Sequence, residues 1–345
     1  MQKKIIALAI ASALTVPALA LAETSNANVY GQVNVSYDFT KTGGSNGTNV
    51  NKVSTNESRF GLKGSEDLGD GLSAVWQIEQ AISVDTGGDQ LASRNTFAGL
   101  SSKSAGTVIL GRNDSPAKLA TRKLDVFGDT TADNRALLGK GNAAGSGFDP
   151  RLDNVIMYTS PDLNGFKAAI AYSNLTESNT NSTQAKLNTV SLSGTYDVAP
   201  FYAALGYEKH ELTSTTDEKA TKLGLGYKMD SLQVNFIYEK IDDDTVGATN
   251  KDHNAYYLAG VYSFGNDAVK AAYTKSKSIT NIANTGAKQW SLGYDHNMSK
   301  RTKLYALYTK LDNDSAQNYG MKFNASASGA GADPSAFSFG MKHSF

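Results

Sequence analysis

Cysteine is absent from all 345 residues. That excludes a disulfide framework, a thiolate metal site and a cysteine nucleophile. A surplus of charge is missing too: 33 Lys and Arg face 33 Asp and Glu, for a formal net charge of +0. Nucleic-acid affinity is dominated by phosphate and needs a cationic excess, so no nucleic-acid partner is expected. Long hydrophobic runs are also lacking. The mean hydropathy of −0.35 argues against a helical membrane protein, which repeats apolar runs of about 20 residues. What is present is 32 Gly, 17 Tyr and 13 Phe, with only 6 Pro, inside an apolar fraction of 40%. Length alone fits two soluble domains or one large one. An apolar fraction so rich in Gly and Tyr is nevertheless thin for a large soluble core, where aliphatic residues dominate.

The first 22 residues, MQKKIIALAIASALTVPALALA, read apart from the rest. Lys3 and Lys4 make a cationic start, an apolar stretch follows, and Ala20-Leu21-Ala22 fits an A-x-A cleavage site before Glu23. The stretch is short for a membrane anchor and contains Pro17. Residues 1–22 are therefore expected to be a signal peptide, and 23–345 the working domain. Loss of Lys3 and Lys4 takes the 33 basic residues to 31 against 33 acidic ones, a formal charge of −2.

Beyond Glu23 no segment carries a convincing amphipathic helix. Alternation over about ten residues recurs instead, which is the side-chain period of a strand. In Val29–Phe39 the odd positions are apolar or Gly and the even ones mostly polar, with Tyr30 the exception. Phe60 and Leu62 alternate with Arg59, Gly61 and Lys63, and Leu232, Val234, Phe236 and Tyr238 with Gln233, Asn235 and Glu239. Phe337, Phe339, Met341 and Phe345 share the last such face.

Connections of two kinds interleave. Short turns fall at 68–71, 104–106, 162–165, 197–200, 229–231, 263–267 and 297–300, and long polar loops near 40–56, 83–93, 114–152, 176–184, 211–217, 243–251, 278–285 and 312–334. Seven turns and eight loops join sixteen strands, and hairpins joined by such turns are antiparallel. An open sheet of sixteen strands would leave edges to protect, and closure removes them. A barrel of that size is too wide for side chains to fill. Apolar residues are then expected outward in lipid and polar ones inward in water, the pattern of outer-membrane barrels. The expected fold class is all-β, a transmembrane antiparallel β-barrel of 16 strands.

Several stretches carry a family resemblance. They are Val29-Tyr30-Gly31, Ser58-Arg59-Phe60-Gly61-Leu62-Lys63-Gly64-Ser65-Glu66-Asp67-Leu68-Gly69-Asp70-Gly71-Leu72, Ala74-Val75-Trp76-Gln77-Ile78-Glu79-Gln80, Gly111-Arg112-Asn113, Tyr158-Thr159-Ser160-Pro161 and the terminal Phe345. In these the chain resembles the trimeric general porins of Gram-negative outer membranes, of the neisserial and β-proteobacterial type. The resemblance implies a homotrimer in outer-membrane lipid that passes small hydrophilic solutes and ions by diffusion. It implies that the third long loop, 114–152, folds into the pore and narrows it. Asp125 and Asp129, with Asp133 beside them, match the family's acidic constriction segment. Arg59, Lys63, Arg112 and Arg151 would then stand on the facing wall. Arg94 is a further basic candidate whose side alternation leaves open. The terminal Phe345 is the residue that barrels of this family present to their assembly machinery. Carboxylates opposed to guanidinium groups across a narrow aqueous gap set a transverse field that favours polar solutes and sorts ions by charge.

Other signals carry less. Gly69–Ala74 and Gly139–Ala144 both fit G-x-G-x-x-[GA], but neither joins a strand to a helix as a nucleotide site requires. Asp242-Asp243-Asp244 lacks the Gly and Glu of a calcium loop. The four His, at 210, 253, 296 and 343, have no metal-ligand spacing. A barrel enzyme would need a nucleophile or an acid–base set with a His partner, and the one G-x-S-x-G, Gly43–Gly47, lies within the polar 40–56 loop instead of between a strand and a helix. No cofactor, metal or catalytic residue is expected.

Overall fold

The computed structural model describes residues 26–88, 91–141, 147–174, 188–212, 215–245, 250–323 and 325–345. The expected signal peptide and the expected loop at 176–184 lie outside the described residues. Seventeen strands form one antiparallel sheet. They are β1 (Asn26–Lys41), β2 (Asn49–Thr55), β3 (Arg59–Gly69), β4 (Leu72–Ala81), β5 (Thr96–Ser102), β6 (Gly106–Asp114), β7 (Arg151–Thr159), β8 (Phe166–Asn174) and β9 (Asn188–Val198). There follow β10 (Phe201–Glu211), β11 (Asp217–Met229), β12 (Leu232–Asp243), β13 (His253–Phe264), β14 (Asp267–Ser276), β15 (Ala287–Asn297), β16 (Thr302–Asn313) and β17 (Ser335–Ser344).

Each strand from β3 to β17 pairs with the next, and β17 returns to β1 in a register from Gln32 opposite Ser344 to Lys41 opposite Ser335. The barrel is closed. Phe345 completes the seam, its N–H and C=O exchanging hydrogen bonds with Gly31 at 3.1 and 3.0 Å. The other edge of β1 is shared, Asn26–Gln32 pairing with β3 and Val35–Lys41 with β2. Three residues, Asn56, Glu57 and Ser58, there oppose Val33 and Asn34. This is a bulge, with Glu57 at φ 56° and the Ser58 hydroxyl inserted in the ladder, accepting from Asn34 N–H at 2.9 Å. β2 and β3 are thus one membrane-crossing strand bent in the middle, and the barrel has sixteen. The loop expected at 40–56 is correspondingly shorter. Its polar Asn and Lys residues mask β2, which pairs with Val35–Lys41 of β1.

The faces are inverted relative to a soluble protein. In β1, Gln32, Asn34, Ser36, Asp38 and Thr40 are buried inward, while Val29, Tyr37 and Phe39 are exposed outward. Outward aromatics cluster at two levels, as in Trp290 with Tyr308 (ring centroids 5.2 Å apart) towards the long loops and Phe201 with Tyr227 (5.4 Å) towards the short turns. The Asp70-Gly71 turn holds both residues at positive φ, 51° and 75°, as a two-residue hairpin demands. The expectation of a polar inner face needs one correction. Ile237, Ile241, Tyr257, Leu307 and Leu311 point inward and are buried, because the third long loop packs on them.

Candidate pore constriction

The third loop begins as a short helix, α1 (Pro116–Arg122), with Pro at its first position and Ser115 as N-cap, whose hydroxyl accepts from Lys118 N–H at 3.3 Å. Beyond it the chain runs along the inner wall, satisfying its backbone with side chains of the strands. Tyr202 Oη donates to Ala120 O at 2.6 Å, Asn235 Nδ2 to Leu124 O at 2.7 Å and Asn34 Nδ2 to Asp129 O at 2.7 Å. Tyr257 Oη accepts from Val126 N–H and donates to Asp125 Oδ1, both at 3.0 Å. Phe127, fully buried, fits the space left by an inward glycine: a Cβ on Gly293 would stand 2.6 Å from its ring. Gly293→Ala should therefore loosen the loop by about 1–3 kcal/mol. The check is open-channel current noise, which should rise while the barrel keeps its far-ultraviolet β spectrum.

Asp125, Asp129 and Asp133 converge on one guanidinium of the same loop. Arg122 Nη1 lies 3.1 Å from Asp125 Oδ2, and its Nη2 lies 2.8 Å from Asp129 Oδ1 and 2.7 Å from Asp133 Oδ2. Arg135, in a 3-10 turn (Asn134–Ala136), grips Asp133 with Nε and Nη2, both at 2.9 Å, and reaches Glu57 at 3.8 Å. Glu57 pairs closely with Arg94, whose Nε donates to Glu79 Oε1 at 2.6 Å. Arg59 closes the circuit, 3.8 Å from Glu79 and 3.4 Å from Asp129. Loop and wall are joined by a ring of alternating charge, four arginines and five carboxylates.

Burial and the neighbouring Asp133 push Asp125 up to about 6, against the pull of Arg122. For Asp133 burial acts in the same direction, but Arg122 and Arg135 prevail and hold it well below the usual carboxylate range. Asp129 is likewise lowered: burial opposes ionisation there, and Arg122, Arg59 and Lys342 overcome it.

The other expected wall residues separate. Lys63 faces inward four residues beyond Arg59 and is exposed, its Nζ 4.9 Å from the Tyr30 ring. Arg151 lies inside but off the ring, bound to Asn95 Oδ1 at 2.6 Å and to Asp114 at 3.3 Å. Arg112 does not belong to the wall. It continues the outward series of Val108 and Leu110 and pairs closely with Asp153, because a bulge opposite it places Leu152 and Val155 inward with Asn113 and Gly111. Glu57, Glu79, Arg122 and Arg135 were missed from sequence. Alternation against Ile78 could have found Glu79, whereas no periodicity marks the other three.

Residues 7–316 match the family described as Gram-negative porin. The chain belongs to that family. Over its whole length it is 30% identical to outer membrane porin protein 32 of Delftia acidovorans, and the match covers all of that protein. It is 27% identical to major outer membrane protein P.IB of Neisseria meningitidis serogroup B, over 92% of this chain and 97% of that one. Among solved structures, the anion-selective porin from Comamonas acidovorans superposes with a TM-score of 0.82 at 27% identity, over 93% of this chain and 100% of that one. This porin is an outer-membrane channel for the passive diffusion of small hydrophilic solutes and ions. Its barrel supplies the passage: a closed wall without edges, apolar towards lipid and lined by hydrogen-bonding groups within.

Proposed function

We propose that the charged ring is the constriction of the channel, with Asp125, Asp129 and Asp133 on the loop and Arg59 and Arg94 on the wall. Lys63 and Arg151 are its outlying cations. The observation that carries this reading is the direct contact of Asp129 with both Arg122 of its own loop and Arg59 of the wall. A solute passing beside that contact crosses the field between them. Transport is then downhill, without catalytic turnover, and selection is by size and charge. Arginine suits such a filter because it stays charged at any accessible pH.

We further propose a preference for anions. Taken together, the carboxylates of the ring are more withdrawn than its cations: side-chain exposure is 0% for Asp125 and Asp133, 7% for Glu79, 17% for Asp129 and 21% for Glu57, against 26% for Arg59, 22% for Arg122, 11% for Arg94 and 9% for Arg135. Lys303, on the same inner wall, is 33% exposed. Water in the lumen meets more positive charge than negative. The relative from Comamonas acidovorans bears the description anion-selective, in keeping with this preference. The working form is proposed to be a homotrimer, exported by the 1–22 leader and delivered through Phe345 to the assembly machinery. Planar-bilayer recording under a salt gradient tests these points together. Current should enter in groups of three equal steps, and the zero-current potential should have the sign of anion flow. A folded protein that conducts nothing would overturn the reading.

A further inference from the structure

On the outer face, at the end of the barrel bearing the long loops, strand register sets one row of side chains across five strands. It runs Tyr238, Tyr256, Lys275, Lys288 and Asp312. The row next to it, towards the membrane, contains Leu258, Tyr273 and Trp290, all exposed. Lys275 and Lys288 are therefore directly opposed like charges sitting just above the apolar belt, an arrangement that destabilises a sheet. Lys277 adds a third cation, its Nζ 5.4 Å from the Tyr256 ring.

Compensation is slight. Asp312 is held by Lys310 at 2.6 Å and lies 3.9 Å from Lys288. Asp314 turns to the backbone, accepting from Gly286 N–H at 3.1 Å. The ion pairs among the described residues include neither Lys275 nor Lys277. These lysines line a cavity of about 630 Å3, together with Ser276, Ser278 and the already engaged Asp312 and Asp314.

We propose that this cavity binds the phosphate groups of a phosphorylated lipid in the outer leaflet. Three lysines around one hollow, at the level where lipid head groups begin, supply the positive charge that a phosphate takes up. The exposed belt of Leu258, Tyr273 and Trp290 beneath receives the acyl chains. The bound phosphate would relieve the repulsion between Lys275 and Lys288, which is the reason for two opposed cations to persist there. A soluble phosphate could use the lysines but not the belt.

The test uses the full-length porin in mild detergent, titrated with diphosphorylated lipid A, with its dephosphorylated form, and with inorganic pyrophosphate. The thermal unfolding midpoint should rise with the diphosphorylated lipid alone. Lys275→Gln and Lys288→Gln should each weaken the apparent affinity roughly fivefold, from the attraction a single lysine has for an anionic lipid surface. Without ligand, the midpoint of Lys288→Gln should equal or exceed that of the wild type, and single-channel conductance should be unchanged, which shows that the variant folds. An equal response to the dephosphorylated lipid, or an undiminished response in both variants, would overturn the phosphate site. A matching response to pyrophosphate would overturn the lipid assignment. A lower ligand-free midpoint in Lys288→Gln would remove the repulsion on which the proposal rests.

Discussion

Arg122→Ala is expected to release the third loop and leave a wider, noisier channel that favours cations. Three carboxylates lie within 3.1 Å of the Arg122 guanidinium. Its place is taken only in part: Arg135 already holds Asp133 with two contacts and stands 3.9 Å from Asp129, Arg59 reaches Asp129 at 3.4 Å, and Asp125 has no other ion pair among the described residues. Removing one partner from a buried ion-pair network costs about 3–5 kcal/mol, because the remaining charges stay desolvated without a counter-charge. The loop can respond by taking up protons or by leaving the wall. Its attachments elsewhere, such as the Phe127 packing and the Asn235 bond to Leu124, resist the second response but do not neutralise the carboxylates. Arg122→Lys restores the charge without the planar fork that touches three acids at once, so it should recover only part of the selectivity. The measurements are single-channel conductance and the zero-current potential under a salt gradient. Traces indistinguishable from the wild type would show that Arg122 does not hold the loop.

The parts of this site that could be read in advance are those governed by alternation. Alternation turns Arg59 and Lys63 inward because Phe60 and Leu62 point out, and the register with β1 agrees. Alternation failed where the ladder itself is irregular. The bulge at Glu57 inserts a carboxylate that no two-residue period can announce, whereas the wall position of Arg112 comes from the resemblance, and alternation with Val108 and Leu110 turns that residue outward. It was also incomplete where the inner wall is not wet. Ile237 breaks the polar series of β12, and its reason is Leu124 on the loop, more than a hundred residues earlier in the chain. The acidic residues of the loop were legible as a spaced set, but their partners were not. Arg122 and Arg135 acquire their roles only from the turns between them, where Asp133 caps the 3-10 turn and Asp125 accepts from Phe127 N–H at 2.9 Å.

Asp125→Asn combined with Asp129→Asn should shift selectivity further towards anions, and the two positions should separate by pH. The double change leaves four arginines against Glu57, Glu79 and Asp133. A unit charge about 7 Å from a passing ion changes its energy by roughly 0.6 kcal/mol in water, with opposite signs for anion and cation, and salt weakens this. The permeability ratio should accordingly move by roughly three- to tenfold. Asp129 is held below the usual range by Arg122, Arg59 and Lys342 against its burial, so its contribution should be constant at every accessible pH. Asp125, raised by burial and Asp133 to about 6, is mostly ionised at pH 7 and loses its charge on mild acidification. In the wild type the anion preference should therefore rise as pH falls through about 6, and in Asp125→Asn this rise should vanish. The sign for loop stability follows from the same shift. A carboxyl whose value is raised in the folded state favours folding while it is protonated, and that contribution is lost as pH rises through about 6. Acidification to pH 5 should thus tighten the loop at Asp125, while Asp133, held low by Arg122 and Arg135, loses its ion pairs only in much stronger acid. A zero-current potential that ignores both substitutions at pH 7 would place these carboxylates outside the path of the permeating ions.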